Sequence, residues 1–354
     1  MQTTKSGPAG NLIISHKPGL IEKLWRWLGF THRPSIKLYT GYGHAEHLVI
    51  YGHALAFAPL PRKRFSKFFL VNLIALLRMF ILRSIRGAVV RLHWEDNEVQ
   101  TRSDTDGFIR LNWQSATPPA YGWHEITTEM LNSKGEVIAN ACAPVMVPHS
   151  TQYAFISDID DTFLISHSSN LRKRLSLLFT HNARTRKPFE GVVRHYQLLA
   201  LAQTTAEQPN PFFYVSSSEW NLYDYIVEFI TVNGLPKGVL LLNTIKHLTD
   251  FLATGQSGHG TKFTRIVRVL EAFPKQRFVL LGDSSQQDPV IYQSIVSHFP
   301  GRIHAVYIRD IHRKNSERVR QVLHQLEASG THCCFFRHSS EAIEHSRRIG
   351  LISP

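Results

Sequence analysis

The chain has 354 residues, enough for two domains, and its 43% hydrophobic and 11% aromatic residues suffice for a globular core. Against 27 Asp and Glu stand 40 Lys and Arg, a net charge of +13 that favours anionic partners: phosphorylated small molecules, anionic membrane or nucleic acid. Three cysteines, Cys142, Cys333 and Cys334, make no disulfide framework and fit a reducing compartment.

The first ten residues are polar and carry no apolar signal core, so secretion is not expected. The longest apolar run, 68–82, contains Asn72 and Arg78 and falls short of the roughly 20 residues that span a bilayer. A cytoplasmic protein is expected, soluble or peripheral at the inner face of a membrane. Residues 1–34 hold an amphipathic segment at 19–30, with Leu20, Leu24, Trp27 and Leu28 on one side and Pro34 as its stop.

Residues 35–148 read as a smaller β-rich, sandwich-like domain. Strands are expected at 36–39, 47–57, 88–94, 107–113, 122–131 and 137–147, with turns at Asp106-Gly107 and Lys134-Gly135. One basic amphipathic helix, over 65–86 or part of it, interrupts them. It either lies in a lipid headgroup layer or packs on the sheet with its arginines solvated. The same two readings apply to 171–179, where Arg172, Lys173 and Arg174 stand.

Residues 149–354 alternate apolar strands with helices, the pattern of an α/β domain with a mostly parallel sheet. Strands are expected at 153–157, 212–216, 239–242, 278–282, 303–308 and 333–336, and helices at 221–233, 262–273, 289–299 and 315–328. Ligands of such sheets bind beyond the carboxyl ends of the strands.

Four motifs fall in chain order, each near the end of a strand or the start of a helix. Phe155-Ile-Ser-Asp158-Ile-Asp160-Asp161-Thr162 gathers carboxylates, which is unfavourable unless a cation or proton offsets them. Ser216 follows Phe-Phe-Tyr-Val, Lys262 opens a helix, and Gly282-Asp283-Ser-Ser-Gln-Gln-Asp288 follows Phe-Val-Leu-Leu. Together they supply a phosphoryl-transfer site. Asp158 is the nucleophile, forming an aspartyl-phosphate, and Asp160 is the acid that later activates water. Ser216, with Ser217 or Ser218 as alternatives, hydrogen-bonds a phosphate oxygen. Lys262 neutralises phosphate, with Lys246 as the weaker choice. Asp158, Asp160, Asp283 and Asp288 offer an oxygen shell for Mg²⁺. Arg309, after a further strand, either holds a phosphate oxygen or makes a structural ion pair.

This order of motifs resembles the haloacid-dehalogenase-like (HAD) phosphohydrolases, which implies a Rossmann-like domain. Within that superfamily, Ser157-Asp-Ile-Asp-Asp-Thr, Tyr214-Val-Ser-Ser-Ser-Glu-Trp-Asn-Leu-Tyr, Leu281-Gly-Asp-Ser-Ser-Gln-Gln-Asp-Pro-Val-Ile-Tyr and Tyr307-Ile-Arg-Asp resemble the catalytic domain of actin-patch-type phosphatidate phosphatases. The resemblance covers 151–351 and implies Mg²⁺-dependent hydrolysis of phosphatidate to diacylglycerol and phosphate. Ser285 and Gln286 stand where that family usually has Gly and Glu, which bears on loop geometry and substrate choice.

An EF-hand fails, because its fifth, sixth and twelfth positions would be Thr162, Phe163 and Ser169. His332, Cys333, Cys334 and His338 lack zinc spacing. The functional alternatives are a phosphatase of soluble phosphomonoesters and a non-catalytic anionic-lipid-binding protein. No nucleic-acid-reading motif is apparent.

Overall fold

The computed structural model describes residues 30, 33–58, 78–95, 97–159, 188–245, 259–284 and 287–353. Those up to Val147 form one compact unit, and those from Pro148 onward form a second. The described elements of the first are strands: β1 (Ser35–Leu38), β2 (Gly41–His44), β3 (His47–Phe57), β4 (Arg83–Ser84), β5 (Val89–Trp94), β6 (Asn97–Arg102), β7 (Phe108–Trp113), β8 (Gly122–Leu131) and β9 (Val137–Val147). They join in one nine-stranded mixed sheet, ordered β1-β3-β2-β9-β8-β5-β6, with β4 and β7 also paired to β3. The β2–β9 pair is parallel; the rest are antiparallel.

Alternation explains why these segments are sheet. Val90, Leu92 and Trp94 on β5, and Ile109, Leu111 and Trp113 on β7, are buried at every second position. A pleated strand puts such residues on one face. With Leu48, Ile50, Ile126, Met130 and Val145 they build one core. Each fully buried aliphatic side chain there contributes about 1.5–3 kcal/mol. The turn at Asp106-Gly107 forms as expected. Asp104 Oδ1 accepts the Asp106 and Phe108 N–H groups at 2.9 and 2.8 Å. Gly107 has φ 75°, and a Cβ there would lie 2.7 Å from the Ala54 carbonyl oxygen.

Three strands went unforeseen. β2 is rich in glycine, β4 has two residues, and β6 is polar and owes its form to its pairing with β5. The helix expected over 65–86 falls mostly outside the described residues. Its described end is corrected: Arg83–Ser84 is strand, and the adjacent Ile85 N–H donates to the Ala54 carbonyl at 2.9 Å. The amphipathic segments at 19–30 and 171–179 also lie outside the described residues, Phe30 excepted.

The second unit is α/β. Its strands are β10 (Ala154–Asp158), β11 (Phe212–Glu219), β12 (Gly238–Asn243), β13 (Phe278–Asp283), β14 (Ile303–Arg309) and β15 (His332–Phe336). Its helices are α1 (Val192–Ala200), α2 (Tyr223–Val232), α3 (His259–Ala272), α4 (Asp288–His298), α5 (Ser316–Ala328) and α6 (Ser339–Arg348). The six strands are all parallel, in the order β12-β11-β10-β13-β14-β15. Every residue of β10, β13 and β14 is buried, as strands covered on both faces require. Counted from β10 the order is 3-2-1-4-5-6, so the chain changes direction across the sheet between β10 and β13. Ligands of open parallel sheets bind at that switch point.

One buried polar network ties α1, β14 and α6 together. Ser346 Oγ donates to the Ala342 carbonyl at 2.8 Å, so Tyr307 O–H must donate to Ser346 at 2.7 Å. His195 Nε2–H then also donates to Ser346 (3.1 Å), and His345 Nδ1–H donates to Tyr307 (3.1 Å). Burial, then the charges of Arg309 and His345, pushes His195 down to about 3. Burial, then Arg348 and His332, pushes His345 down to about 4. Burial, then Arg277 and neighbouring histidines, does the same for His304, also about 4.

A histidine held below its ordinary value of 6.5 favours the fold while neutral. Its contribution is complete above that value and is lost as pH falls toward the folded value. The urea midpoint is therefore expected to fall steadily from about pH 6.5 to about pH 4. A midpoint that stays flat over that window would contradict this assignment.

Candidate active site

The parallel order brings the carboxyl ends of β10, β11, β13 and β14 to one edge, and the acidic and basic side chains of interest stand there. Asp158 ends β10 and Asp283 ends β13, on either side of the switch point. Asp288 opens α4, five residues on, with Pro289 behind it in the first turn. Lys262 lies near the start of α3, which leads into β13. Asp158, Asp283 and Asp288 are 0% exposed and Lys262 5%. Charge this deep is costly unless it is compensated inside the protein.

Lys262 supplies part of that compensation. Its Nζ stands 2.8 Å from Asp158 Oδ1 and donates a short hydrogen bond to Asp288 Oδ1. Burial alone would pull the ammonium down. The charges and hydrogen bonds of Asp158 and Asp288 outweigh burial and hold it above its ordinary range. The other oxygen of Asp288 accepts the Asp283 N–H at 3.3 Å, so Asp288 also closes the turn between β13 and α4. This close return explains Gly282: a Cβ there would lie 2.7 Å from Asp288 Oδ2 and 2.8 Å from the Tyr292 ring. Tyr292 O–H donates to the Leu281 carbonyl at 2.8 Å. Burial, then the charges of Asp288 and Asp158, keeps that hydroxyl protonated.

Asp158, Asp283 and Asp288 each place a carboxylate oxygen within 4.8 Å of the other two. The donor set is oxygen only, which suits a hard divalent cation. The residues present therefore fit a metal.

Four sequence-selected residues meet in this cluster: Asp158, Lys262, Asp283 and Asp288. Ser216 follows Val215, the partner of Asp158 across β10–β11, and is fully buried. Its Oγ accepts the Ser218 N–H at 2.9 Å, within a stretch where β11 shifts register against β12. Ser217 beside it is half-buried. Asp160 lies outside the described residues, as do Asp161, Thr162, Lys246, Ser285 and Gln286.

Arg309 is at the right edge but engaged elsewhere. It ends β14, paired with Asp283, and its guanidinium lies between the rings of Phe189 (4.9 Å) and Phe336 (4.8 Å). Nη1 donates to the Arg337 carbonyl at 3.1 Å and Nη2 to Ser339 Oγ at 2.8 Å. Ser339 in turn donates to the Glu190 carbonyl at 2.8 Å. These contacts clamp the start of α1 and the end of β15 to the site's edge, and none of them reaches Asp158 or Lys262. The ion pair near it belongs to Asp310, which accepts from Arg337 Nε at 2.9 Å.

Sequence reasoning passed over Ser157, Tyr196 and Tyr292, which back the cluster from within the core. Ser157 adjoins Asp158 and was open to inspection. Tyr196 sits 38 positions beyond Asp158 on α1, an unforeseen helix whose spacing of Val192, Tyr196 and Leu199 on one buried face was the available signal.

The cluster of buried carboxylates and one ammonium at the switch point of the parallel sheet could hold a metal ion. Residues 153–310, which hold the whole cluster, match the family model described as phosphatidate phosphatase APP1, catalytic domain. Phosphatidate phosphatase APP1 of Saccharomyces cerevisiae is 33% identical over 157 residues, covering 44% of this chain and 25% of that protein. An uncharacterized protein of Schizosaccharomyces pombe is 25% identical over 183 residues, covering 51% of this chain and 28% of its own. The match thus spans about a quarter of the length of these curated relatives. Among solved structures, a carbohydrate acetylesterase from Xanthomonas citri aligns with 77% of this chain and 68% of its own, at 9% identity and a TM-score of 0.27, too low to bear on fold or function.

Lys262→Met takes the ammonium away from two buried carboxylates and is expected to destabilise the fold by about 3–5 kcal/mol in urea unfolding. Adding Asp288→Asn removes one of those charges and is expected to restore part of that loss. Additive losses in the double variant would refute the coupling.

Proposed function

We propose that the chain is a Mg²⁺-dependent phosphatase of the HAD superfamily that hydrolyses phosphatidate to diacylglycerol and phosphate. The observation that carries this reading is the meeting of Asp158, Asp283 and Asp288 with Lys262 at the switch point of the parallel sheet. The match of that stretch to a phosphatidate phosphatase catalytic domain supports the lipid substrate. A Rossmann-like HAD domain agrees with the 3-2-1-4-5-6 strand order.

In this mechanism an Asp158 carboxylate oxygen attacks phosphorus. The bond from phosphorus to the diacylglycerol oxygen breaks as the aspartyl-phosphate forms. Asp160 gives its proton to the leaving oxygen and later takes one from the water that attacks the aspartyl-phosphate, releasing phosphate and regenerating Asp158. Lys262 offsets the charge of the incoming phosphate, which Asp158 and Asp288 would otherwise repel. Ser216 or Ser217 donates to a phosphate oxygen. Asp158, Asp160, Asp283 and Asp288 would hold Mg²⁺. When bound, that ion supplies neutralisation of the carboxylates and of the phosphoryl oxygens.

Contact with an anionic membrane is part of the proposal. No helix among the described residues is long and apolar enough to cross a membrane. The basic sequence clusters Arg62, Lys63, Arg64 and Lys67, and Arg172, Lys173 and Arg174, would meet lipid headgroups.

Phosphate release from phosphatidate vesicles with Mg²⁺ tests the reading. Turnover is expected to vanish with chelator and to fall by more than about 1000-fold in Asp158→Asn, which keeps the shape of the nucleophile and removes its charge. Turnover confined to soluble phosphomonoesters would replace lipid by soluble substrate. Unchanged turnover in Asp158→Asn would overturn the nucleophile.

A further inference from the structure

The peptide unit that carries the chain out of β10 is gripped at both ends. Its carbonyl belongs to Asp158 and its N–H to Ile159. Ile159 N–H donates to the Val215 carbonyl at 3.2 Å, across to β11. The Asp158 carbonyl, on the opposite side of the same peptide, receives Ser157 Oγ–H at 2.9 Å. Ser157 Oγ also lies 2.8 Å from Tyr196 O–H, and the only proton of Ser157 is already given to Asp158. Tyr196 must therefore donate. The chain of bonds runs one way, from Tyr196 on α1 through Ser157 to the Asp158 carbonyl.

All three residues are buried, Tyr196 to 1% exposure and the other two to 0%. Burial, the largest cause, raises the Tyr196 hydroxyl above its ordinary range, with smaller opposing effects from Ser157 and Arg309. It stays a donor at any working pH.

We propose that Ser157 and Tyr196 are positioning residues for Asp158. They fix the plane of the Asp158–Ile159 peptide, and with it the direction in which the Asp158 carboxylate leaves the strand toward Lys262. Neither touches substrate. The proposal rests on the phosphatase reading, in which Asp158 must meet phosphorus in line. A shift of about 1 Å in such a group costs on the order of 100-fold in rate.

The test uses the full chain with phosphatidate vesicles and Mg²⁺, comparing wild type, Ser157→Ala, Tyr196→Phe and the double variant. Ser157→Ala is expected to lower kcat by about 10–100-fold with KM unchanged, and Tyr196→Phe to lower it less, since Ser157 still reaches the carbonyl. The double variant should be no slower than Ser157→Ala, because Tyr196 acts only through Ser157. The thermal midpoint of Tyr196→Phe reports whether the fold is intact. Wild-type kcat in both single variants would overturn the relay and leave the phosphatase reading standing. So would multiplicative losses in the double variant, or a loss shared between kcat and KM. A wild type without turnover on any phosphomonoester would overturn both.

Discussion

The second unit is organised around one ammonium group. Lys262 reaches from α3 to touch Asp158 on β10 and Asp288 on α4, so three separate elements meet at a buried charge. Such a cluster is poor evidence of stabilisation, because desolvating the charges costs about as much as their attraction returns. Apolar residues of similar size would serve folding at least as well. The three carboxylates gathered beside that lysine form an oxygen-only set that could hold a hard divalent cation.

The rest of the site's edge is built to hold those charges still. Gly282 lets Asp288 fold back over β13, and Asp288 then fixes the turn by accepting the Asp283 N–H. Ser284 accepts the N–H groups of Ile311 and His312, both at 3.0 Å, and so ties the turn after β13 to the turn after β14. Arg309 places its guanidinium over two phenyl rings and pins α6, the end of β15 and the approach to α1. Preorganised charge of this kind does not have to reorganise during reaction, which is where most catalytic stabilisation originates.

The sequence made the strands and the carboxylates legible, and the reason is local. β3 and β9 announce themselves by length, β8 by alternation, and β10 and β13 by apolar runs. The ends of the site strands were read too short. Asp158, Ser217–Glu219, Asp283 and Arg309 are polar, and hydropathy stops where they begin, while the backbone ladder or its continuation runs on. Site residues break the local rule because their burial is offset by partners distant in sequence: Lys262 for Asp158, Phe336 and Ser339 for Arg309. Arg309 shows the limit most clearly. Position alone made it a phosphate ligand or half of an ion pair, and only the packing shows it stacked between aromatic rings.

That packing also bears on how far the catalytic part of the chain extends. The family match stops at residue 310, one position past Arg309. Yet Phe336, Arg337 and Ser339, which hold Arg309, all come later, and so does the strand that covers the outer side of β14. The edge strand β15 and the first turn of α6 therefore belong physically to the same edge as Asp158 and Asp283. A chain cut at residue 310 would leave the Arg309 guanidinium without its hydrogen-bond acceptors and β14 as an exposed edge. An unpaired buried cation and a bare apolar edge are both costly. The buried carboxylates and Lys262 fall inside the matched stretch, and the residues that hold its edge extend past it to Ser339.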